Sequence, residues 1–555
     1  MSRSRSDSLL LISGVLLLIL VGLFFLTHRP SAPQPDPSAP TASADSPANS
    51  PAAASPADNS PAPASPTDSD LALNATTAEL SQKLSTRLTR PDTRAHEAVL
   101  LFKNADGYRR FLARAAQVGV IVAGQIDALN VVRVRVRAYD TFAADLVARA
   151  ADYGGISANT FVSMPPPPAE RLVTRQVGVG NNLLATLGVP AGTDTSTWGR
   201  GVTIAVLDGG AVPDPTLGAR LRYLDIGLGY AGTGASGLHG TSVASIVAGS
   251  AADAPGLAPA ATVLSIRVID TDDKADVFTV TQGIVAAVDA GVQLINLSLG
   301  GYSTSDVLTR AITYAADHGV VIIAAAGNDG INRLVWPAAD PRVVSVGATD
   351  ATGRQASFSN SGPQLQLTAP GIGIQAAALA NQRAAFSGTS AATPVVTGAI
   401  AALLSQTPGL TATQAVALLQ TYSDDGGVAG TDPNYGSGTV DLGWALSRAD
   451  TTRTDTAISS HHYDADTASL EVVVQNRSAR PAANLTLAIE LNDRASSIAI
   501  PALAPGQSLA IPIPLDAATA AAPITLRTRL DNPEGVTDAL PANNTRASRI
   551  DLSGR

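Results

Sequence analysis

Residues 202–210 read VTIAVLDGG, a run of apolar and β-branched residues that ends in one acid and two glycines. A strand with water on one side alternates apolar and polar residues. This run is apolar almost throughout, as a strand covered on both faces must be. Similar runs follow at 262–270 (TVLSIRVID), 292–300 (VQLINLSLG), 320–328 (VVIIAAAGN) and 343–348 (VVSVGA). Between them, 277–290 and 305–318 carry apolar residues at helical spacing. Buried strands alternating with helices predict a doubly wound α/β domain with a parallel sheet over about 198–446.

The flanks read differently. Residues 97–164 hold a strand (EAVLLFK), a helix over 107–118, a strand alternating Val132, Val134 and Val136 with Arg133, Arg135 and Arg137, a helix over 141–152 and a strand near 156–162. The order β-α-β-β-α-β predicts a ferredoxin-like α+β unit. Four consecutive prolines, Pro165 to Pro168, close it, because proline can continue neither a helix nor a central strand. After about 455 only strands and turn signals remain (LEVVVQN, NLTLAIEL, SLAIPIPL, ITLRTRL), which predicts a small β-sandwich.

At the N-terminus Arg3 and Arg5 precede an unbroken apolar stretch, residues 9–26. As a helix it would span about 27 Å, close to the thickness of a bilayer's hydrocarbon. No A-x-A site follows closely, so the stretch reads as a retained signal anchor in preference to a cleaved signal peptide. The rest of the chain would then be extracytoplasmic, periplasmic or extracellular, with secretion as the alternative. Residues 31–70 are rich in Pro, Ala and Ser and lack aromatics, the composition of a tether. The expected organisation is a cytoplasmic tip and anchor (1–29), a linker (30–70), an α+β domain (71–168), the α/β domain (169–450) and the sandwich (451–555).

The totals exclude several functions. The 555 residues carry a net charge of −9 with scattered cations, which tells against nucleic acid as a partner. There is no cysteine, hence no thiol nucleophile and no Cys-ligated metal.

In a parallel sheet, ligands bind at the carboxyl ends of the strands. Asp208 ends the first run, and Asn328 ends the fourth after Ala324, Ala325, Ala326 and Gly327. Ser390 sits in GTSAATPVVTGAIAALL, where Gly388 allows close approach and an apolar helix begins at once. Of six histidines, His28 flanks the apolar stretch, His96 lies in the first domain, His461 and His462 lie in the last, and His318 ends a helix. His239 is left, in a Gly-Leu-His-Gly turn leading into a helix of small residues. A serine hydroxyl needs a base, the base needs a carboxylate to hold its other nitrogen, and the oxyanion needs fixed donors. Asp208, His239, Ser390 and Asn328 supply those groups, with no cofactor or metal required. Asp270, Asp272, Asp273 and Asp276 form an acidic loop. It reads as a solvated surface, with structural calcium as the alternative.

These motifs resemble the subtilisin family of serine peptidases. VLDGG, HGTSVASIVAG and GTSAATPVVTGAIA stand in the order Asp, His, Ser, and Asn328 falls between the last two. The separations are 31, 89 and 62 residues. GLAPAATVLSIRVID, NLSLGG, AAAGND and YGSGTVDLGWAL also resemble family blocks. The resemblance implies a serine endopeptidase acting on proteins or peptides, with Asp208, His239 and Ser390 as triad and Asn328 as oxyanion donor. It further implies that Ser298, Leu299 and Gly300 pair with substrate backbone and that Ala324–Gly327 wall the first specificity pocket. The first domain is similar in strand order to the family's inhibitory propeptide. It would make the chain a zymogen cut between that domain and about residue 198. The last domain resembles a CARDB-like or Ig-like module. Gly209, Ser242 and Ala391 depart from the residues usual in the family. The contrasting reading is a catalytically idle scaffold that displays the C-terminal module for binding.

Overall fold

The structure, a computed structural model, describes residues 76–552 except 174–175, 231, 466, 517–518 and 520–522. The apolar stretch 9–26 and the tether lie outside the described residues. Among the described residues no helix is long and apolar enough to cross a membrane.

The first domain is an antiparallel sheet of β1 (Thr93–Phe102), β2 (Val120–Ile126), β3 (Val131–Val136) and β4 (Tyr153–Val162), in the order 4-1-3-2. Three helices cover it: α1 (Thr77–Arg87), α2 (Ala105–Arg114) and α3 (Tyr139–Ala148). Val132, Val134 and Val136 are buried, as their alternation with arginine requires. Helix α1 goes beyond the elements read from the sequence. Its signal was the capping box Thr76-x-x-Glu79, in which each side chain satisfies the other's backbone amide.

The central sheet has nine strands. From the middle outward on one side come β5 (Thr203–Asp208), β7 (Thr262–Arg267) and β6 (Leu221–Leu224). On the other side come β9 (Leu294–Leu297), β10 (Val321–Ala325), β11 (Val344–Thr349), β12 (Leu367–Pro370), β14 (Thr439–Val440) and β13 (Ser423–Asp424). All neighbours are parallel except the last pair. Alternate residues of one strand feed two cores. Ile204 and Val206 pack with α4 (Gly234–Ala248) and α7 (Thr389–Gln406), whereas Ala205 and Leu207 pack with α5 (Val277–Asp289) and α6 (Asp306–Asp317). Burial on both faces is what made the strands read as continuous apolar runs. The strand order turns back between β5 and β9, so their carboxyl ends open into the crevice where doubly wound sheets bind ligands.

The last domain holds two antiparallel sheets, one of three strands (Thr456–Asp464, Ser469–Asn476, Ser508–Pro514) and one of four (Arg494–Ile500, Leu485–Leu491, Ile524–Asp531, Thr545–Ile550). Leu470, Val472, Leu487, Ile524 and Leu526 are fully buried in the cluster they share. The strand at Arg494–Ile500 was not legible because six of its seven residues are exposed. Backbone pairing with Leu485–Leu491 forms it, in the absence of an apolar face.

Two expectations are corrected. His239 lies in the second turn of α4, inside the helix and not in a turn before it. The glycines at 237 and 240 suggested a turn, but they belong to a helix, where Gly237 packs on Gly232 and Gly240 on Gly210. Close packing overrides their weak helical propensity. A Cβ at Gly209 would stand 2.2 Å from the Ser236 carbonyl oxygen, which accounts for glycine at this unusual position. The acidic loop is also more than a solvated surface. Asp276 is fully buried and caps α5, and with Asp270 it receives the Arg94 guanidinium of the first domain. Among the described residues no three His, Asp or Glu side chains converge to hold a metal ion.

Candidate active site

The carboxyl end of β5 delivers Asp208, completely buried. Its Oδ1 accepts the Gly209 amide at 2.7 Å, and its two oxygens lie 2.9 and 3.0 Å from His239 Nδ1. A carboxylate oxygen can only accept, so this contact keeps the ring proton on Nδ1 and the lone pair on Nε2. That nitrogen is buried and has no hydrogen-bond partner among the described residues. Phe386 stands edge-on to the ring, with centroids 5.2 Å apart, and fixes its tilt.

Ser390 is the second residue of α7 and is 3% exposed. Its Oγ donates to the Ser298 carbonyl at 3.3 Å. Pro394 sits four residues on within the helix, and its missing N–H leaves the Ser390 carbonyl unclaimed. Ser298 Oγ donates to that carbonyl at 3.2 Å, Asn296 Nδ2 donates to Ser298 Oγ at 3.1 Å, and Thr397 Oγ1 donates to Asn296 Oδ1 at 2.9 Å. This buried relay ties the backbone of Ser390 to the end of β9. Sequence reasoning missed it, although a proline inside a helix was its signal.

Asn328 follows β10. Its Oδ1 accepts from the Thr389 amide at 2.9 Å and from Thr389 Oγ1 at 2.8 Å, so its Nδ2 faces the cleft. Gly327, at φ +114°, makes the bend before it. A Cβ there would lie 2.3 Å from Asn360 Nδ2. Asn360 also accepts the Asp329 amide at 2.9 Å and donates to the Tyr302 hydroxyl at 2.9 Å. Burial, and then the hydrogen bond to Asp329, push the Tyr302 phenol up to about 12. It therefore stays a donor at any physiological pH.

The remaining sequence candidates divide into two groups. Ser298, Leu299 and Gly300 edge the cleft. Ala324, Ala325 and Ala326 are wholly buried, with Ala324 packed in the core beneath the site. The structure also fills the cleft with the chain itself. Ser163 and Gly300 exchange amide-to-carbonyl bonds at 3.1 and 3.0 Å, and Asn328 Nδ2 donates to the Pro166 carbonyl at 3.3 Å. On the other side Phe161 and Val162 of β4 pair antiparallel with β8 (Ala275–Asp276).

An acid, an imidazole and a helix-borne serine lie at the switch point of a parallel sheet, the set of groups that a serine hydrolase requires. Comparison with known proteins narrows the class. Residues 199–438 match the model of the Subtilase family. Subtilisin BL of Lederbergia lenta is 35% identical over 221 residues, which are 40% of this chain and 82% of that protein. The minor extracellular protease Epr of Bacillus subtilis is 33% identical over 245 residues, 44% of this chain and 38% of Epr. A solved serine-to-alanine mutant of the protease domain of PatA is 29% identical and covers 46% of this chain and 97% of its own, with a TM-score of 0.43. The chain belongs to the subtilase family, and it is a subtilisin-like serine peptidase acting on protein substrates.

Proposed function

We propose that Ser390 is the nucleophile, His239 the general base and then acid, Asp208 the group that orients it, and Asn328 the oxyanion donor. The observation that carries this reading is the contact of His239 Nδ1 with both oxygens of Asp208, in the same crevice as Ser390. Nε2 takes the proton of Ser390 Oγ as that oxygen attacks a peptide carbonyl. The negative charge moves to the carbonyl oxygen, where Asn328 Nδ2 and the backbone amide of Ser390 stabilise it. The imidazolium then protonates the leaving nitrogen, and the acyl-enzyme is hydrolysed by water in the reverse sequence. Ser298, Leu299 and Gly300 bind substrate as an added antiparallel strand. The segment Ala326–Gly327 forms the wall of the first pocket.

The domain at 71–168 is read as an inhibitory propeptide, because its last strand continues into the cleft as a substrate would. The zymogen is cut after it and before about residue 198. The tip and anchor at 1–29 and the tether at 30–70 would hold the catalytic unit at 169–450 outside the cytoplasm. That setting agrees with the extracellular naming of Epr. The C-terminal unit at 451–555 is read as a CARDB-like or Ig-like module.

The test compares the full chain with Ser390→Ala. Wild type should shorten with time, label with a fluorophosphonate and digest casein. Ser390→Ala should do none of these, with a loss on the order of 10⁶-fold, a figure measured on a subtilisin and carried over here. A Ser390→Ala chain that still digests casein would falsify the assignment.

A further inference from the structure

Every peptide bond that the chain itself presents to the site is one to proline. The carbonyl held by Asn328 belongs to Pro166, so the bond set for attack is Pro166–Pro167. A slip of one residue either way does not help, because residues 164–168 read MPPPP. The bonds 164–165, 165–166, 166–167 and 167–168 all have a proline nitrogen on the leaving side.

From these contacts we infer that Pro165–Pro168 is a strap built to occupy the cleft without being cut. The inference rests on the assignment of Ser390 and His239 above and concerns the regulation of that site. Three physical consequences of proline support it. A ring locks φ near −65°, whereas a residue bound as an antiparallel strand sits nearer −140°, so the strap leaves the extended form just where the bond would be attacked. The leaving nitrogen of Pro167 is a tertiary amide nitrogen whose ring carbon crowds the side from which His239 must deliver a proton. The third consequence is visible in the hydrogen bonds. Pro166 has no N–H to offer the Ser298 carbonyl, and the Ser390 hydroxyl takes that carbonyl at 3.3 Å. His239 Nε2 is left without a partner. A residue with an amide at 166 would compete for the Ser298 carbonyl and return the hydroxyl to the imidazole. The strap thus blocks the cleft and also draws the nucleophile's proton away from its base.

The strap is held at the carboxyl end of β4. Phe161 and Val162 pair with β8, Ser163 pairs with Gly300, and Arg94 binds Asp270 and Asp276 behind them. Activation therefore requires a cut at an ordinary peptide bond beyond the strap, after residue 168.

The experiment converts the strap into a substrate. Pro166→Ala/Pro167→Ser in the full chain restores an N–H at 166 and an ordinary leaving amine at 167. N-terminal sequencing and intact mass should show no terminus between 165 and 168 in wild type. The double variant should carry a new terminus at residue 167 that disappears when Ser390→Ala is added. Initial fluorophosphonate labelling should rise at least tenfold over wild type. A wild-type terminus between prolines, or a double variant that labels and cleaves a peptide nitroanilide yet stays intact at 166–167, overturns the strap alone. A double variant that neither labels nor cleaves the nitroanilide overturns the assignment of Ser390 and the strap with it. Thermal unfolding reports whether the variant is folded. If it is not, Pro167→Ser carries the same test, since it alone restores the leaving amine.

Discussion

The two flanking domains hold the catalytic domain in opposite ways. The N-terminal domain meets it through backbone pairing in the cleft, through apolar packing of Val99, Leu101, Leu129 and Val131 in the cluster of α5 and α6, and through Arg94, whose side chain is 26% exposed, against Asp270 and Asp276. The C-terminal sheets meet it through charge gathered on an almost fully buried arginine. Arg477, 5% exposed, reaches Asp441 at 3.3 Å and Asp424 at 2.6 Å, and lies over the Trp444 ring. Gln475 Nε2 donates to the Ser423 carbonyl, and Ser460 Oγ to the Gly427 carbonyl. Strand pairing at the end of a sheet can be undone segment by segment. A cluster of acids around a buried arginine cannot lose that cation without leaving carboxylate charge unpaired. On the zymogen reading proposed above, the first arrangement suits a part that leaves, and the second suits a part that stays.

The largest effect should come from breaking the buried side of this contrast. Arg477→Ala leaves Asp441 and Asp424 facing each other, and should lower stability by about 3 kcal/mol or more, seen as a depressed melting temperature. Initial peptidase rate per folded molecule should be unchanged; an unaltered melting curve would show that the cluster does not hold the domains.

The next effect is on pH. Burial first, and then Asp424 beside it, push Asp441 up to about 8, against the usual value near 4; Arg477 and the Trp444 amide oppose the rise. Asp455, also buried, adds to the push while paired with Arg453 at 2.5 Å. Between these two values the folded chain keeps a proton that the unfolded chain has lost. Stability conferred by that proton is therefore full below about pH 4 and falls as pH rises toward 8, by up to about 1.4 kcal/mol per pH unit. Melting temperatures measured at pH 6 and pH 8 should fall with rising pH, and Asp441→Asn should flatten the slope. A slope that Asp441→Asn leaves untouched would place the titrating group elsewhere.

On the N-terminal side the readout shifts from stability to release. Arg94→Ala removes charged hydrogen bonds worth about 1.5 kcal/mol and should speed fluorophosphonate labelling roughly tenfold, with little change in melting of the catalytic domain. Lys274, whose ammonium lies 4.7 Å from the Phe161 ring centre, is the smallest lever. Lys274→Ala should cost about 0.5 kcal/mol of docking and raise labelling about twofold. Equal labelling in wild type and both variants would mean that the N-terminal domain does not guard the site.

Legibility followed the physics of each region. Strands buried on both faces announce themselves as apolar runs, so the central sheet could be read from VTIAVLD and its relatives, and Asp208 and Asn328 from their ends. The positions of His239 and Ser390 were legible from elimination and from the small residues around them. The turn assigned to His239 failed because glycine was weighed by its propensity, while the structure uses its size to press α4 onto Gly209. The strand at Arg494–Ile500 failed because nothing in its side chains points inward.

By itself the sequence determined the fold class, the chain order of the catalytic candidates and the run of prolines. These are local properties: periodicity, residue type and the chemistry a side chain carries. Only the tertiary structure decided that the acidic loop receives Arg94, that a proline inside α7 frees a carbonyl for Ser298, and that the tetraproline run lies across Asn328. Each depends on groups far apart in the chain, brought within about 3 Å by packing that no local pattern encodes.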